Sequence, residues 1–202
     1  GPGICDDPAI KPFIVIPLVI VINTKATDLR PSSISELCGP DYKGLVTYGG
    51  PKNSAGKSLL KAVWSLYGRD HLDQFIQNSH PASMPASAFK LAVDGHYPIA
   101  IVPTIFAARQ GLHNIISQIP SEGAIGIPSF IAVNKLCALK SYTLIHDQII
   151  ANRDFHQTLY DRGRIISPMV KESQIPFYYP PKSFLDGIDY QVYNEILASQ
   201  FL

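Results

Sequence analysis

Short apolar runs that alternate with helical patterns are the feature that most constrains the fold of this chain. Residues 13–22, 45–48, 99–102 and 125–133 are apolar runs of strand length. Between the second and third runs, residues 57–67 place their apolar side chains on one helical face. Strands that alternate with helices in this way predict an α/β fold with a mixed sheet flanked by helices.

The helices have recognisable ends in the sequence. Gly68 is expected to end the helix over 57–67, because glycine adopts the left-handed conformation of a C-cap. Residues 79–87 are rich in proline and serine and predict an irregular connection. The longest helix is predicted over 143–160, and a last short helix over 191–201.

The composition is that of a folded protein. Hydrophobic residues make up 46% of the chain and charged residues 16%, proportions typical of globular rather than disordered proteins. The formal net charge of +1 gives no general attraction to a polyanion, and no Lys/Arg cluster is interleaved with aromatic residues. We therefore expect no nucleic-acid partner.

The apolar run over 13–22 is too short to span a membrane. It has about half the length that a transmembrane helix needs, and it contains Pro17. It also lacks the pattern of a signal peptide, in which a basic segment precedes the apolar run and a small-residue cleavage site follows it. We interpret it as a core strand, preceded by residues 1–11, which are expected to be a tag remnant or a disordered lead.

Residue types that carry chemistry are scattered. Cys5, Cys38 and Cys137 form no CxxC pair, so a thiolate metal site is not expected, although one disulfide with one free thiol remains open. The six histidines form no HxH or HxxxH pair, and no GxSxG motif is present. The sequence predicts a protein without catalytic activity, metal or cofactor.

The stretch "GGPKNSAGKSLL" over 49–60 resembles a phosphate-binding P-loop but departs from its spacing. A P-loop has four residues between its first glycine and the Gly-Lys-Ser/Thr triplet. Here Gly50 lies five residues before Gly56, and Pro51 occupies the position of the required glycine. Proline lacks the backbone N–H that the loop uses. The spacing therefore argues against a nucleotide hydrolase, which we keep as a third hypothesis after the two binding functions described below.

A helix that starts in Asn53-Ser54-Ala55-Gly56 can bind an anion without being a P-loop. Its first N–H groups have no partner within the helix, and the helix dipole favours negative charge there. We predict that Ser54 and the N–H groups of Ala55 and Gly56 hold a small anionic or polar ligand. The alternative is an ordinary N-cap with no ligand.

Ligands of open α/β sheets bind at the carboxyl ends of the strands. Those ends are predicted at 48–56, 83–87 and 103–106, where hydroxyl groups, backbone donors and aromatic rings occur together. This mixture suits a small polar solute. The predicted ligand-binding residues are Tyr48, Asn53, Ser54, Ala55, Gly56, Ser87, Thr104 and Phe106.

The order of several segments resembles a known family. The segments are "FIVIPLVIVINTK", "DYKGLVTYGGPKNSAGKSLLKAVWSLYG", "VDGHYPIAIVPTIFAARQG" and "IPSFIAVNK". Together they resemble the extracellular solute-binding proteins of ABC importers, which have a type 2 periplasmic-binding-protein fold, and within them the branch of iron(III)-binding proteins. The resemblance extends over most of residues 13–165.

The resemblance implies a non-catalytic solute-binding protein that lies in the periplasm or outside the cell, secreted or lipid-anchored. Its implied partners are a small solute and an ABC permease. The chain resembles one lobe of the two-lobed fold, the second, as an α/β domain over 12–136, followed by a C-terminal helical return over 137–202. The resemblance thus implies that the first lobe is largely missing from this sequence. The alternative is a regulatory or partner-binding module that reuses this lobe without transport.

One departure concerns the ligand. Iron-binding members of the family carry adjacent tyrosines at the positions that match Ile105 and Phe106. An alkyl group and a phenyl ring offer no oxygen to a hard cation. We therefore expect no direct iron(III) ligation at this loop.

The resemblance also bears on oligomeric state. Residues 13–22 and 125–133 match strands that cross between the two lobes and pair there with first-lobe strands. Unpaired here, their edges predict a homodimer or larger assembly. A monomer in which residues 165–202 cover that surface is the alternative. The residues expected near the dimer contact are Phe13, Val15, Val19, Ile127 and Ile131.

Overall fold

The computed structural model of the protein describes residues 10–108, 113–132, 139–170 and 175–200. Strands and helices alternate along most of this part of the chain, as predicted. The elements are β1 (Ile10–Asn23), α1 (Ile34–Leu37), β2 (Val46–Tyr48), α2 (Ser54–Asn78), β3 (Ser79–Pro81), α3 (Pro85–Val93), β4 (Ile99–Pro103), α4 (Thr104–Ala107), β5 (Ile115–Gln118), β6 (Ala124–Ala132), α5 (Leu139–Ile145), α6 (Arg153–Gly163), β7 (Phe177–Tyr178), α7 (Lys182–Gly187) and α8 (Tyr190–Ser199).

The described strands form one mixed sheet in the order β3-β2-β4-β1-β6-β7, and β5 pairs with β1 beside β6. Strand β2 is parallel to β3 and to β4. Strand β1 is antiparallel to β4, β5 and β6. This confirms the predicted α/β fold with a mixed sheet and helices around it.

The second half of β1, Leu18–Ile22, is buried on both faces of the sheet. Leu18, Ile20 and Ile22 pack into the cluster beneath α2, whereas Val19 and Val21 pack beneath α3. Successive side chains of a strand point to opposite faces, so an unbroken apolar run suits a strand covered on both sides. The two clusters form the core.

Helix α2 contains the predicted interruption at Gly68. The backbone there has φ 83° and ψ −179°, which divides α2 into two helical segments. No side chain or backbone atom lies where a Cβ at Gly68 would be placed. The residue is therefore glycine because of its conformation and not because of crowding.

Two predictions about secondary structure are wrong, and one strand is missing from the prediction. Residues 79–87 contain strand β3, because their backbone pairs with β2. The helix predicted over 143–160 is broken into α5, a π-helical turn at His146–Ile150, and α6. Asn152 starts α6 by accepting the N–H of Phe155, so the longest described helix is α2. Strand β5 was not predicted, since Ile116 and Ser117 are exposed and the strand shows no simple alternation.

The C-terminal part of the chain returns to the same sheet. Strand β7 pairs with the start of β6, and α8 lies against α2, where the Tyr193 hydroxyl donates to the carbonyl oxygen of Lys57 at 2.9 Å. The Trp64 ring contacts Tyr193 and Phe184. The last predicted helix is thus present as α8. The domain boundary predicted between residues 136 and 137 stays an expectation.

The premise of the dimer prediction does not hold for β1. The two crossing strands pair with each other over Ile10–Leu18, and Val15 also exchanges two backbone hydrogen bonds with Ile166. The Phe13 ring packs against Phe155 and His156 of α6. The C-terminal segment therefore covers part of this surface, and the homodimer stays a prediction.

None of the helices in the described ranges has the length and apolar content that a membrane crossing requires.

The central position of β1 predicts how the core responds to truncation. Ile20→Ala removes a fully buried side chain and should lower the free energy of unfolding by about 2 to 4 kcal/mol. Ile116→Ala, on the paired strand β5 at 39% exposure, should lower it by less than about 1 kcal/mol. Urea denaturation of both variants measures the difference, and equal losses would contradict this placement.

Candidate functional site

The carboxyl ends of β2, β3 and β4 lie at one edge of the sheet. Tyr48 is in register with Pro81 of β3 and with Ile101 of β4, and all three strands run in the same direction. Helices α2, α3 and α4 begin directly after these ends. The topology therefore brings the three predicted loops side by side, which is where open α/β sheets bind ligands.

Asn53 holds the loop between β2 and α2. Its side-chain oxygen accepts the N–H of Gly56 at 3.1 Å and thereby caps α2. Its amide nitrogen donates to the carbonyl oxygens of Gly49 and of Gly50. One side chain thus joins the loop to the helix and uses both its acceptor and its donors.

The glycines of this loop allow very close packing. A Cβ on Gly56 would collide with the carbonyl oxygen of Gly50, and one on Gly50 would collide with that of Ala82. Gly50 also has φ 65°, in the left-handed region that favours glycine. The loop after β2 therefore folds back onto the start of α2 and onto the loop after β3.

Ser54 is the accessible part of this helix start. Its side chain is exposed, whereas Ala55 and Gly56 are buried. Among the described residues, none accepts a hydrogen bond from the N–H of Ser54 or Ala55. The Gly56 N–H is already bonded to Asn53, which corrects the expectation that it is available to a ligand.

Tyr48 lies in the core and not along a cleft. Its side chain is fully buried, its ring packs on Phe75 at a centroid distance of 5.5 Å, and its hydroxyl is hydrogen-bonded to Gln200. Burial, with a smaller contribution from Tyr193, raises the pKa of Tyr48 far above its usual range. This corrects its expected role as an aromatic wall of the site.

The remaining predicted residues lie in two other places. Ser87 shares a 3.2 Å contact with Ser83 at the start of α3 and lines an open cavity of about 440 Å³ with His80 and His96. Thr104 is buried and donates to the carbonyl oxygen of Arg164 at 3.4 Å. The Phe106 ring stacks on Phe89 of α3. The structure thus brings Asn53–Gly56 together and separates Ser87 from Thr104.

Sequence reasoning missed a second concavity, which we call the Arg164 groove. It has a volume of about 240 Å³ and lies beside Thr104, between the strands β1 and β5 and the end of α6. The signal for it was absent from the sequence, because it depends on where α6 ends against the sheet. The groove is lined by Val19, Thr104, Ser117, Gln118, Ile119, Tyr160, Arg164, Ile166 and Ile175.

No three His, Cys, Asp or Glu side chains in the described part of the chain are grouped closely enough to hold a metal ion. Cys38 is buried as a free thiol. Burial and the nearby Glu122 carboxylate raise the pKa of this thiol to about 11, so it stays protonated at neutral pH. Cys5 and Cys137 lie outside the described residues.

Comparison with known sequences identifies the family. The family of bacterial extracellular solute-binding proteins matches the chain over residues 5–173. The chain belongs to this family. It is therefore a solute-binding domain of the periplasmic-binding-protein type and not an enzyme, and its family is extracellular or periplasmic. No curated protein sequence matches it.

Solved structures with the same fold include ferric-binding proteins. The ferric binding protein from Campylobacter jejuni superposes on this domain with a TM-score of 0.71 at 15% identity, over 95% of this chain and 71% of that chain. Apo ferric ion-binding protein A of Pasteurella haemolytica gives 0.73 at 15% identity, over 97% and 70%.

A protein from a signalling system has the same fold. It is described as a two-component system protein that mediates signal transduction, and it superposes on this domain with a TM-score of 0.75 at 20% identity, over 96% of this chain and 70% of that chain. At these identities the three likenesses establish the fold of the solute-binding domain and leave its ligand undetermined.

The hydrogen bonds that Asn53 makes to Gly49, Gly50 and Gly56, which we call the Asn53 clamp, predict that stability falls when Asn53 is replaced by aspartate. Aspartate normally caps a helix as well as asparagine does, but its carboxylate cannot donate to the carbonyl oxygens of Gly49 and Gly50. Asn53→Asp should lower the free energy of unfolding by about 1 to 3 kcal/mol.

The matched control is Asn152→Asp at the start of α6, where the side-chain oxygen accepts from Phe155 at 2.9 Å. This change should alter stability by less than about 0.5 kcal/mol. Chemical denaturation of both variants tests the clamp, which is contradicted if the two substitutions cost the same.

Proposed function

We propose that this domain is the solute-binding component, or a fragment of that component, of an ABC import system. Its ligand is a small anionic or polar solute held at the start of α2. The observation that carries the proposal is the exposed Ser54 at a helix start that lies at the carboxyl edge of the sheet. The family supports the general role of solute binding.

The local charge favours an anion. The first turn of α2 contains no acidic residue, and the exposed side chains of Lys52 and Lys57 lie on either side of Ser54 in the sequence. The partial positive charge of the helix start adds to theirs. Ser54 offers a hydroxyl and a backbone N–H, and Ala55 offers a second N–H. These groups suit an oxyanion such as phosphate, sulfate or a carboxylate.

Ferric ion is not the ligand that we propose, although two neighbours in fold are named for it. The loop after β4 presents Ile105 and Phe106, and neither side chain has an oxygen for a hard cation. An anion held at α2 needs no such ligand. In this proposal the loaded domain delivers its solute to an ABC permease.

Ligand sensing is the second candidate function. The structural likeness to a two-component system protein described as mediating signal transduction favours it. A sensor uses the same α2 site but passes binding to a partner protein without transport. Uptake of the labelled solute by cells with and without the gene separates the two functions, because only an importer changes the uptake.

Thermal unfolding in the presence of candidate anions tests the α2 site. A ligand that binds only the native state adds about 2.7 kcal/mol at a hundred times its dissociation constant, which raises the melting temperature by about 5 to 10 °C. We expect such a rise with at least one of phosphate, sulfate or a small carboxylate.

Ser54→Asp should abolish this rise, because its carboxylate occupies the helix start and repels the anion. Ser58→Ala, one turn further along α2, should preserve it. A rise that persists in Ser54→Asp would show that the anion binds elsewhere. Magnesium ADP is included in the screen. If it does not raise the melting temperature, the hypothesis of a nucleotide hydrolase is excluded.

A further inference from the structure

We propose that the Arg164 groove is a binding site for a small monocarboxylate with an apolar body. The site is separate from the α2 helix start and does not rest on the function proposed above. It combines a cavity, a cation at its wall, and a lining in which four aliphatic side chains and one aromatic ring stand beside polar groups.

The walls define the apolar body of the ligand. Val19, Ile119, Ile166 and Ile175 line the groove, and the Tyr160 ring adds an aromatic surface. The volume of about 240 Å³ is many times the volume of about 10 to 15 Å³ that a single water molecule needs in a cavity. The groove therefore has room for a small organic ligand such as a branched short-chain or aromatic monocarboxylate.

Arg164 supplies the charge. No carboxylate of the described residues lies within salt-bridge distance of its guanidinium group, which lies over the Tyr160 ring at 5.0 Å. A guanidinium group presents two parallel N–H donors that match the two oxygens of a carboxylate. Arg164 is the one cationic residue of the described lining, which favours a ligand with one carboxylate over a ligand with two.

The backbone that carries Arg164 is fixed at several points. Its N–H donates to the carbonyl oxygen of Tyr160 at 2.8 Å, and its own carbonyl oxygen accepts from Thr104. Two residues later, Ile166 pairs with Val15 of β1. Arg164 is also the one non-glycine residue with positive φ in the described part of the chain, at 51°. Such a conformation persists where the surrounding contacts impose it, so the cation is attached to a rigid support.

Two polar side chains complete the lining. Gln118 donates to the carbonyl oxygen of Pro31, which fixes its amide at the rim. The Ser117 residue is exposed, and its hydroxyl can donate to a carboxylate oxygen. A few polar groups in a mostly apolar concavity are typical of small-molecule sites.

Isothermal titration with benzoate and with 3-methylbutanoate tests the site. We expect saturable binding of at least one of them by the unmodified protein and none of benzamide, which has the same shape as benzoate without its charge. Arg164→Gln should weaken binding at least tenfold, whereas Arg164→Lys, which keeps the charge but not the paired donors, should weaken it less. Ile119→Glu, which places a negative charge in the groove, should abolish it.

Arg162→Gln is the matched control, because Arg162 is an exposed arginine in the last turn of α6, two residues before Arg164. It should leave the affinity unchanged, and circular dichroism melts show that each variant is folded. Equal affinities for Arg164→Gln and the unmodified protein would overturn the proposal, as would the absence of binding by both carboxylates.

Ser54→Asp separates this site from the one at α2. Benzoate or 3-methylbutanoate binding that survives Ser54→Asp supports the groove, even if no anion stabilises the α2 site. Loss of that binding in Ser54→Asp would place the carboxylate at α2 and overturn the groove as its site. The two proposals thus fail by different measurements.

Discussion

The burial of half of one strand, Leu18–Ile22 of β1, on both faces and along both edges is the constraint on which the fold depends. Strand β1 pairs with β4, β5 and β6, and the segment after α6 adds a fourth contact at Ile166. Because its side chains are apolar on both faces, helices must cover both sides of the sheet. The candidate sites follow from this arrangement: the start of α2 lies at the carboxyl ends of the strands beside β1, and the Arg164 groove lies between β1, β5 and the end of α6.

The sequence was informative where a single local rule governs the structure. The apolar runs predicted β1, β2, β4 and β6, and the conformational freedom of glycine predicted the interruption of α2 at Gly68. It was less informative where tertiary contacts decide. Strand β5 forms because it pairs with β1, although two of its side chains are exposed. A continuous helix over 143–160 satisfied the pattern, yet a π-helical turn and the Asn152 cap divide it.

The same distinction applies to the candidate site. The strand–loop–helix pattern located Asn53–Gly56, but the double role of the Asn53 side chain required the folded loop. Tyr48 had an available signal, because strand alternation places it on the same face as the buried Val46. Arg164 had none. Its importance comes from the end of α6 lying beside Thr104 and from a backbone conformation that side-chain identity does not reveal.

The pairing of Val15 with Ile166 has a consequence for how the protein is made. Strand β1 precedes all of its partners, which follow much later along the chain: Pro103 opposite Leu18, Ile127 opposite Ile16, and finally Ile166 opposite Val15. Contacts between residues so distant in sequence make folding slow. During that interval the apolar residues Leu18–Ile22 of β1 have no strand partner, which is the condition under which molecular chaperones protect a protein from aggregation.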